Sequence, residues 1–261
     1  MIAPSPKAEP RIVNADPNYP KPRLMAPTTL GYIYLAAAIS PPGRVPLVLP
    51  SARRRALIRK LKTLATPLAS EPSVVDVNLF RAIVAPPTAR FSHFVKDNPD
   101  RVPIANFDVL ALVRAQSIED ANRVLESTAF LDFSSAMRSG ANNFKQMAAR
   151  NIRRIGDPPL DERRGLFLFN HFAAAHPDIM PALWEHLAGW YVAKTHLNNS
   201  VAMAPLDGEE RDYAIVNWAR WDEVPLKHFA GMLARPTLWK FVTRNLDLND
   251  AVAMPVYCRR A

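Results

Sequence analysis

The sequence is poor in three things. It carries a single cysteine, Cys258, in 261 residues, which excludes a disulfide scaffold and any cysteine-built zinc site. It holds eight glycines, and neither Gly-x-Gly-x-x-Gly nor Gly-x-x-x-x-Gly-Lys-Ser/Thr occurs. The loops that cradle dinucleotide or NTP phosphates therefore have no place in it. No apolar run approaches the roughly 20 residues needed to span a bilayer. His-Glu-x-x-His and Gly-x-Ser-x-Gly are missing too, which argues against a zincin and against an elbow-type serine hydrolase. The opening Met1-Ile-Ala-Pro-Ser-Pro-Lys7 lacks the apolar core of a secretory signal, so the expectation is a soluble cytoplasmic protein. What is present is apolar material: 49% of the residues are hydrophobic, enough for one or two cores and too much for wholesale disorder.

The net charge of +9 sits in one segment. Residues 1–62 hold 11 Lys and Arg against Glu9 and Asp16, and the remainder balances to zero. Arg53, Arg54, Arg55, Arg59, Lys60 and Lys62 fall in one predicted helix, where such a run reads first as a solvated face. A nucleic-acid partner is disfavoured on that ground. Residues 1–27 carry seven prolines, which deny the backbone donors and helix interiors. They read as an extended arm, either a disordered tail or a strap along another surface.

Hydrophobic periodicity then sets an order of elements. Strands are expected at Leu30–Ile39, Ser73–Val84, Phe107–Val113 and Phe144–Ile155. A helix from about Ala52 to Leu64 is capped by Ser51, and a second runs from the capping box Ser117-Ile-Glu-Asp120 to about Met137. After a linker-like Gly156–Arg164 the order recurs. Strands are expected at Gly165–Phe172, Trp190–Pro205, Tyr213–Trp221 and Ala251–Cys258, with helices from Pro177 to near Gly189 and from Pro225 to Asn245. Strand-helix-strand-strand-helix-strand is the split βαβ, ferredoxin-like unit. The fold class expected is α+β: an arm over 1–27, a degenerate unit over 28–156 and a second unit over 165–261. Each sheet has one apolar face left to cover, and two units back to back cover it, making a barrel-like pair in one chain.

The chemistry concentrates in Ile215-Val-Asn-Trp-Ala-Arg-Trp-Asp222. On a strand, Tyr213, Ile215, Asn217, Ala219 and Trp221 are expected on one face and Trp218 on the other. Asn217 and Trp221 then lie roughly 13 Å apart along an apolar wall. An amide and an indole N–H there suit a flat polar aromatic ligand; the bland alternative is that both are packed and bonded to neighbours.

These residues, with Ala234-Arg-Pro236 and Met254-Pro-Val-Tyr257 after them, resemble the antibiotic biosynthesis monooxygenase family. The similarity is greatest to the small cofactor-independent, quinone-forming monooxygenases of aromatic polyketide pathways, and it covers about residues 165–261. In that family an Asn and a Trp four residues apart on the third strand line the pocket, matching Asn217 and Trp221. The family fold is the dimeric α+β barrel, so the resemblance implies tandem ferredoxin-like repeats forming that barrel within one chain. It implies a monooxygenase, without cofactor, taking a phenolic aromatic substrate and O2, with a homodimer as the assembly to test. The family's helix Tyr would fall near Lys227 or His228 and its Arg near Val242, so neither is kept. In the first unit, Ala111 and Ala115 stand opposite Asn217 and Trp221, and that unit is expected to be chemically silent, standing in for a partner subunit.

The roles that follow are Asn217 hydrogen-bonding the substrate oxygen, Trp221 stacking or donating its N–H, and His228 as base. Asn170, His171, Tyr213, His196 and Trp218 are the further candidates for binding substrate. Two alternatives stand beside this. Chlorite dismutase-like relatives bind haem, for which His186, on the first helix of the second unit, or His228 is the candidate ligand; haem-degrading relatives use a first-strand Asn, matched by Asn170, and a His whose position falls near Val242; no other metal is expected. The other alternative is a non-catalytic binding or scaffold protein.

Overall fold

The computed structural model describes residues 9–40, 46–160, 165–222, 230–232 and 234–261. Eight strands close into one antiparallel barrel: β1 Gly31–Ala38, β2 Val74–Val84, β3 Val109–Ala115, β4 Asn143–Gly156, β5 Leu166–Ala174, β6 Ser200–Pro205, β7 Ile215–Trp221 and β8 Ala251–Arg260. Around the barrel the order is β1-β3-β2-β8-β5-β7-β6-β4. The first four strands are thus contiguous, as are the last four. The two arcs are joined by β2 against β8 and by β4 against β6. The fold is a mixed α and β one, and no described helix is long and apolar enough to cross a membrane.

An eight-stranded barrel leaves an interior that side chains just fill, and they do. Tyr32, Tyr34, Phe80, Phe107, Phe167, Phe169 and Trp218 pack in its centre with Leu110, Met203 and Val256. Cys258 is buried there as well, and burial pushes its thiol well up, so it is an inert filler. Alternate residues of each strand face outward, under helices. Ile33, Leu35, Val109 and Val113 meet α1 Ala52–Ala69, α3 Ile118–Glu126 and α4 Thr128–Ser139. Leu166, Leu168, Phe172, Ile215 and Ala219 meet α5 Met180–Thr195 and the C-terminal helical segment. That segment is π-helical over Leu238–Thr243 and continues as α6 Arg244–Leu248.

Several expectations shift. The second helix is two, because Ser127 Oγ accepts the Phe130 amide and starts α4 afresh. The loop after β2 contains a 3-10 turn, Thr88–Phe91, and a short helix α2, His93–Asp97. Trp190–Pro205 is not one strand. The helix runs on to Thr195 and β6 begins only at Ser200. Leu183, Trp184, Leu187, Ala188 and Trp190 are all buried on α5, so packing overrides the strand preference of the aromatic residues. Gly189 is tolerated inside it because the arm crosses there: a Cβ would clash with the carbonyl oxygens of Tyr19 and Pro20.

The arm, where described, is a strap and not a loose tail. Arg11 and Val13 donate their amides to Asn249 Oδ1 (2.8 Å) and Asn245 Oδ1 (3.1 Å), and Asn14 Nδ2 donates to the Lys240 carbonyl. The Tyr19 ring packs edge-on to Phe241 at 5.0 Å, with Lys194 above its face. Met25 bonds β4 through Arg154. The basic, proline-rich start of the chain therefore clamps the helices of the other half.

Candidate functional site

The site lies outside the barrel, between the second arc of strands and its helices. Asn170 on β5 and Asn217 on β7 are directly paired across the two strands. Cross-strand partners on one face stand roughly 5 Å apart at Cβ, so the two amides form one polar spot on an apolar sheet. They are 4% and 6% exposed. Asn217 Oδ1 accepts from Trp184 Nε1 (3.1 Å) and from Ser200 Oγ (2.7 Å). Its oxygen is thereby occupied, and its Nδ2 makes no hydrogen bond among the described residues. Asn170 Oδ1 is the opposite case, buried with no hydrogen-bond partner among the described residues. A buried acceptor left unpaired costs about 1–3 kcal/mol, so its retention calls for a function or a bound group.

Two voids meet at Asn170. The first is a niche of about 20 Å³ lined by Leu168, Asn170, Trp184, Tyr191, Asn217 and Trp221 among others, room for a water and little more. The second is a cleft of about 250 Å³ that shares Asn170 and Tyr191 with the niche. Its walls are Met232, Leu238, Val242, Leu246, Val252 and Pro255, with Phe91 and Trp239 at an exposed mouth. That volume lies between the about 150 Å³ that accepts benzene and the roughly 300 Å³ and more of drug-sized sites. It suits a flat body of two or three fused rings. The π-helical turn forms one wall, a distortion frequent at functional sites.

Trp221 donates its N–H to Thr195 Oγ1 (3.2 Å), and Thr195 in turn donates to the Tyr191 carbonyl (2.7 Å). Among the described residues, two titratable groups line the cleft. Burial pushes the Tyr191 hydroxyl up to about 12, so it is a neutral donor. Burial also raises the Asp247 carboxyl, against the opposing pull of His93 and Lys96. The first half contributes the opposite wall through Pro86, Pro87, Thr88, Phe91 and Ser92, held by Thr88 Oγ1 donating to the Ala253 carbonyl at 2.7 Å.

Of the residues expected from sequence, Asn170, Asn217 and Trp221 come together. His171, Tyr213 and Trp218 do not: they point into the barrel. Asn170 and His171 are consecutive on a strand and face opposite ways. Tyr213 precedes β7, which starts at Ile215, so strand alternation does not carry back to it. It packs on the His171 ring at 5.0 Å, and burial, with Asp212 nearby, raises its hydroxyl. His171 accepts or shares the Tyr34 hydroxyl proton at Nε2 (2.6 Å) and meets the Met254 carbonyl at Nδ1 (3.0 Å). Burial pushes it down to about 4, so it is neutral with Nδ1–H donating. His196 is exposed, as the left-handed cap of α5 (φ 55°). His228 lies outside the described residues.

His186 stacks on Phe241 at 4.6 Å, its Nε2 is 3.4 Å from Asn245 Nδ2, and burial and Lys21 lower its basicity. It lines neither void, so these residues do not fit an iron ligand aimed into the cleft. Among the described residues no group of three or more His, Cys, Asp or Glu could hold a metal.

Sequence reasoning missed Tyr191, Ser92 and Asp247. Tyr191 was legible from its spacing of seven after Trp184 and of four after Leu187, a helical stripe. Nothing in the local pattern marks the other two.

No family model matches the chain, and no curated protein sequence does. Solved structures do. An anthrone oxidase-like protein superposes with a TM-score of 0.57 at 10% identity, over 89% of this chain and 93% of its own. A "putative monooxygenase" of Fusobacterium nucleatum subsp. nucleatum gives 0.52 at 7%, over 88% and 91%. A chlorite dismutase of Candidatus Nitrospira defluvii gives 0.46 at 10%, over 89% and 92%. At such identities the likeness is one of fold.

Proposed function

We propose that this protein is a cofactor-independent monooxygenase that oxidises a fused-ring phenol to a quinone, as a soluble cytoplasmic enzyme of aromatic polyketide or antibiotic tailoring. The observation that carries the reading is the unpaired Asn170 Oδ1, set against Asn217 where an apolar cleft of fused-ring size meets a one-water niche. The fold likeness to an anthrone oxidase-like protein supports it. We also read the two arcs, each with its end strands in the order fourth-first-third-second, as tandem ferredoxin-like units making a dimeric α+β barrel in one chain.

The substrate lies in the cleft with its phenolic edge at the asparagine pair. Asn170 Oδ1 accepts the hydroxyl proton's hydrogen bond, and Asn217 Nδ2 donates to the neighbouring oxygen. Asn170 Oδ1 orients the hydroxyl before it ionises, and Asn217 Nδ2, a fixed donor in a dry site, stabilises the developing phenolate charge without reorganising. A base takes the hydroxyl proton; His228 and Asp247 are the candidates. The phenolate passes one electron to O2, giving an aryloxyl radical and superoxide. These recombine with a proton to a hydroperoxide at the ring carbon. Its O–O bond breaks, the carbon's remaining hydrogen leaves as a proton, and the quinone carbonyl and one water result. The niche beside Trp221 and Tyr191 is where the oxygen species sits. For an anthrone the balance is one O2 consumed, one quinone and one water formed. Oxygen uptake with an anthrone, wild type against Asn170→Leu, tests it: uptake well above the spontaneous rate that is lost in the variant supports the reading, and equal rates refute it.

A further inference from the structure

Asn170 is not the only buried polar group in the cleft without a partner. Ser92, 6% exposed, also lines it, and its Oγ makes no hydrogen bond among the described residues. Ser92 stands just before α2, where a serine hydroxyl ordinarily accepts an amide of the first turn and adds about 1 kcal/mol. Here it bonds none of them. The loop that carries it is held in place. Two prolines, Pro86 and Pro87, restrict its backbone, Ala85 bonds the Pro46 carbonyl at 2.7 Å, and Thr88 is tied to β8. A preset loop thus holds the Ser92 hydroxyl in a wall of prolines and Phe91 whose other described hydroxyl, Thr88, is already bonded to the Ala253 carbonyl. Asn170 lines both voids, whereas Ser92 lines the cleft and not the niche. The two orphan groups thus line one cleft, Asn170 where it meets the niche and Ser92 apart from the niche, one supplied by each half of the chain.

We propose that Ser92 is a ligand-binding, specificity-determining residue: its hydroxyl takes a second oxygen on the ligand, at the end remote from the asparagine pair. The ligand class is then a fused-ring compound oxygenated at both ends, not a phenol substituted along one edge. This rests on the cleft being the substrate site, as proposed above. It adds that the first half of the chain selects the substrate.

The test uses two probes on the full chain, 1-hydroxyanthraquinone and 1,5-dihydroxyanthraquinone, with binding read by quenching of tryptophan fluorescence. Wild type is expected to bind the two-ended probe at least roughly fivefold more tightly, the scale of one net hydrogen bond. Ser92→Ala removes that preference and leaves the one-ended probe within about twofold, and Ser92→Thr, which keeps the hydroxyl, retains part of it. A wild type with no preference overturns the proposal without any variant. So does a Ser92→Ala protein that weakens both probes equally, or neither. If Asn170→Leu also leaves both affinities unchanged, or wild type binds neither probe, the cleft itself is wrongly assigned and both readings fall. If Asn170→Leu weakens both while Ser92→Ala changes nothing, only the Ser92 proposal falls.

Discussion

His171 provides a prediction with its magnitude fixed by the structure. The ring is sealed in the barrel between Tyr34, Phe107 and Tyr213, and burial takes it from 6.5 to about 4. Between those values the unfolded chain binds a proton that the folded chain refuses, so stability rises with pH across the window and falls on acidification. The contribution is complete above about pH 6.5 and is lost progressively toward pH 4. At about 1.4 kcal/mol per unit the full loss is roughly 3 kcal/mol, of which about 2 kcal/mol is gone by pH 5. For a chain of this size that is a fall in Tm of about 4–8 °C from pH 7.5 to 5. Other groups contribute to the same slope, so the comparison is with His171→Gln, which has nothing to titrate. Thermal melts of both proteins from pH 7.5 to 5 should show the variant's Tm falling by several degrees less. Parallel slopes would refute the argument: His171 would then be protonatable in the fold, and its place inside a dry barrel would be wrong.

Three further outcomes follow. Asn170→Leu removes an unpaired acceptor, so the ligand-free protein should gain about 1–2 kcal/mol, seen as a Tm higher by roughly 2–8 °C, while ligand binding is lost; a lower Tm contradicts the orphan assignment. Asn217→Leu strands the Trp184 N–H and the Ser200 hydroxyl and should cost about 2–4 kcal/mol in a denaturant titration. The same substitution at paired strand positions thus has opposite signs. Gly189→Ala gains helix propensity of about 1 kcal/mol but pushes against Tyr19 and Pro20, and limited proteolysis should cut the arm faster in the variant than in wild type.

Most of the barrel could be read from the chain. Strand alternation, Ser51 and Ser117 as caps, and the recurrence of one order of elements give seven of the eight strands nearly in place. The failures have physical causes. Trp190, Tyr191 and Val192 are strand formers by propensity, yet they lie on a helix because the stripe from Leu183 through Trp190 is buried, and that is a tertiary fact. Half of the site was legible for the same reason the strands were: Asn217 and Trp221 share a face by alternation alone. Their pairing with Asn170 needed the register of β5 on β7, which no single strand encodes. Ser92 and Asp247 come from segments that only the closed barrel brings beside β8. Tyr213 shows the cost of extending alternation one step past a strand's true end.

The measurement that bears most directly on the account is oxygen consumption by chelator-treated protein, free of metal and haem, given an anthrone in air-saturated buffer. One O2 is expected to be consumed per quinone formed, at a rate far above the spontaneous one and abolished by Asn170→Leu. Uptake no faster than in buffer, or uptake that appears only when a metal or haem is added back, would contradict it.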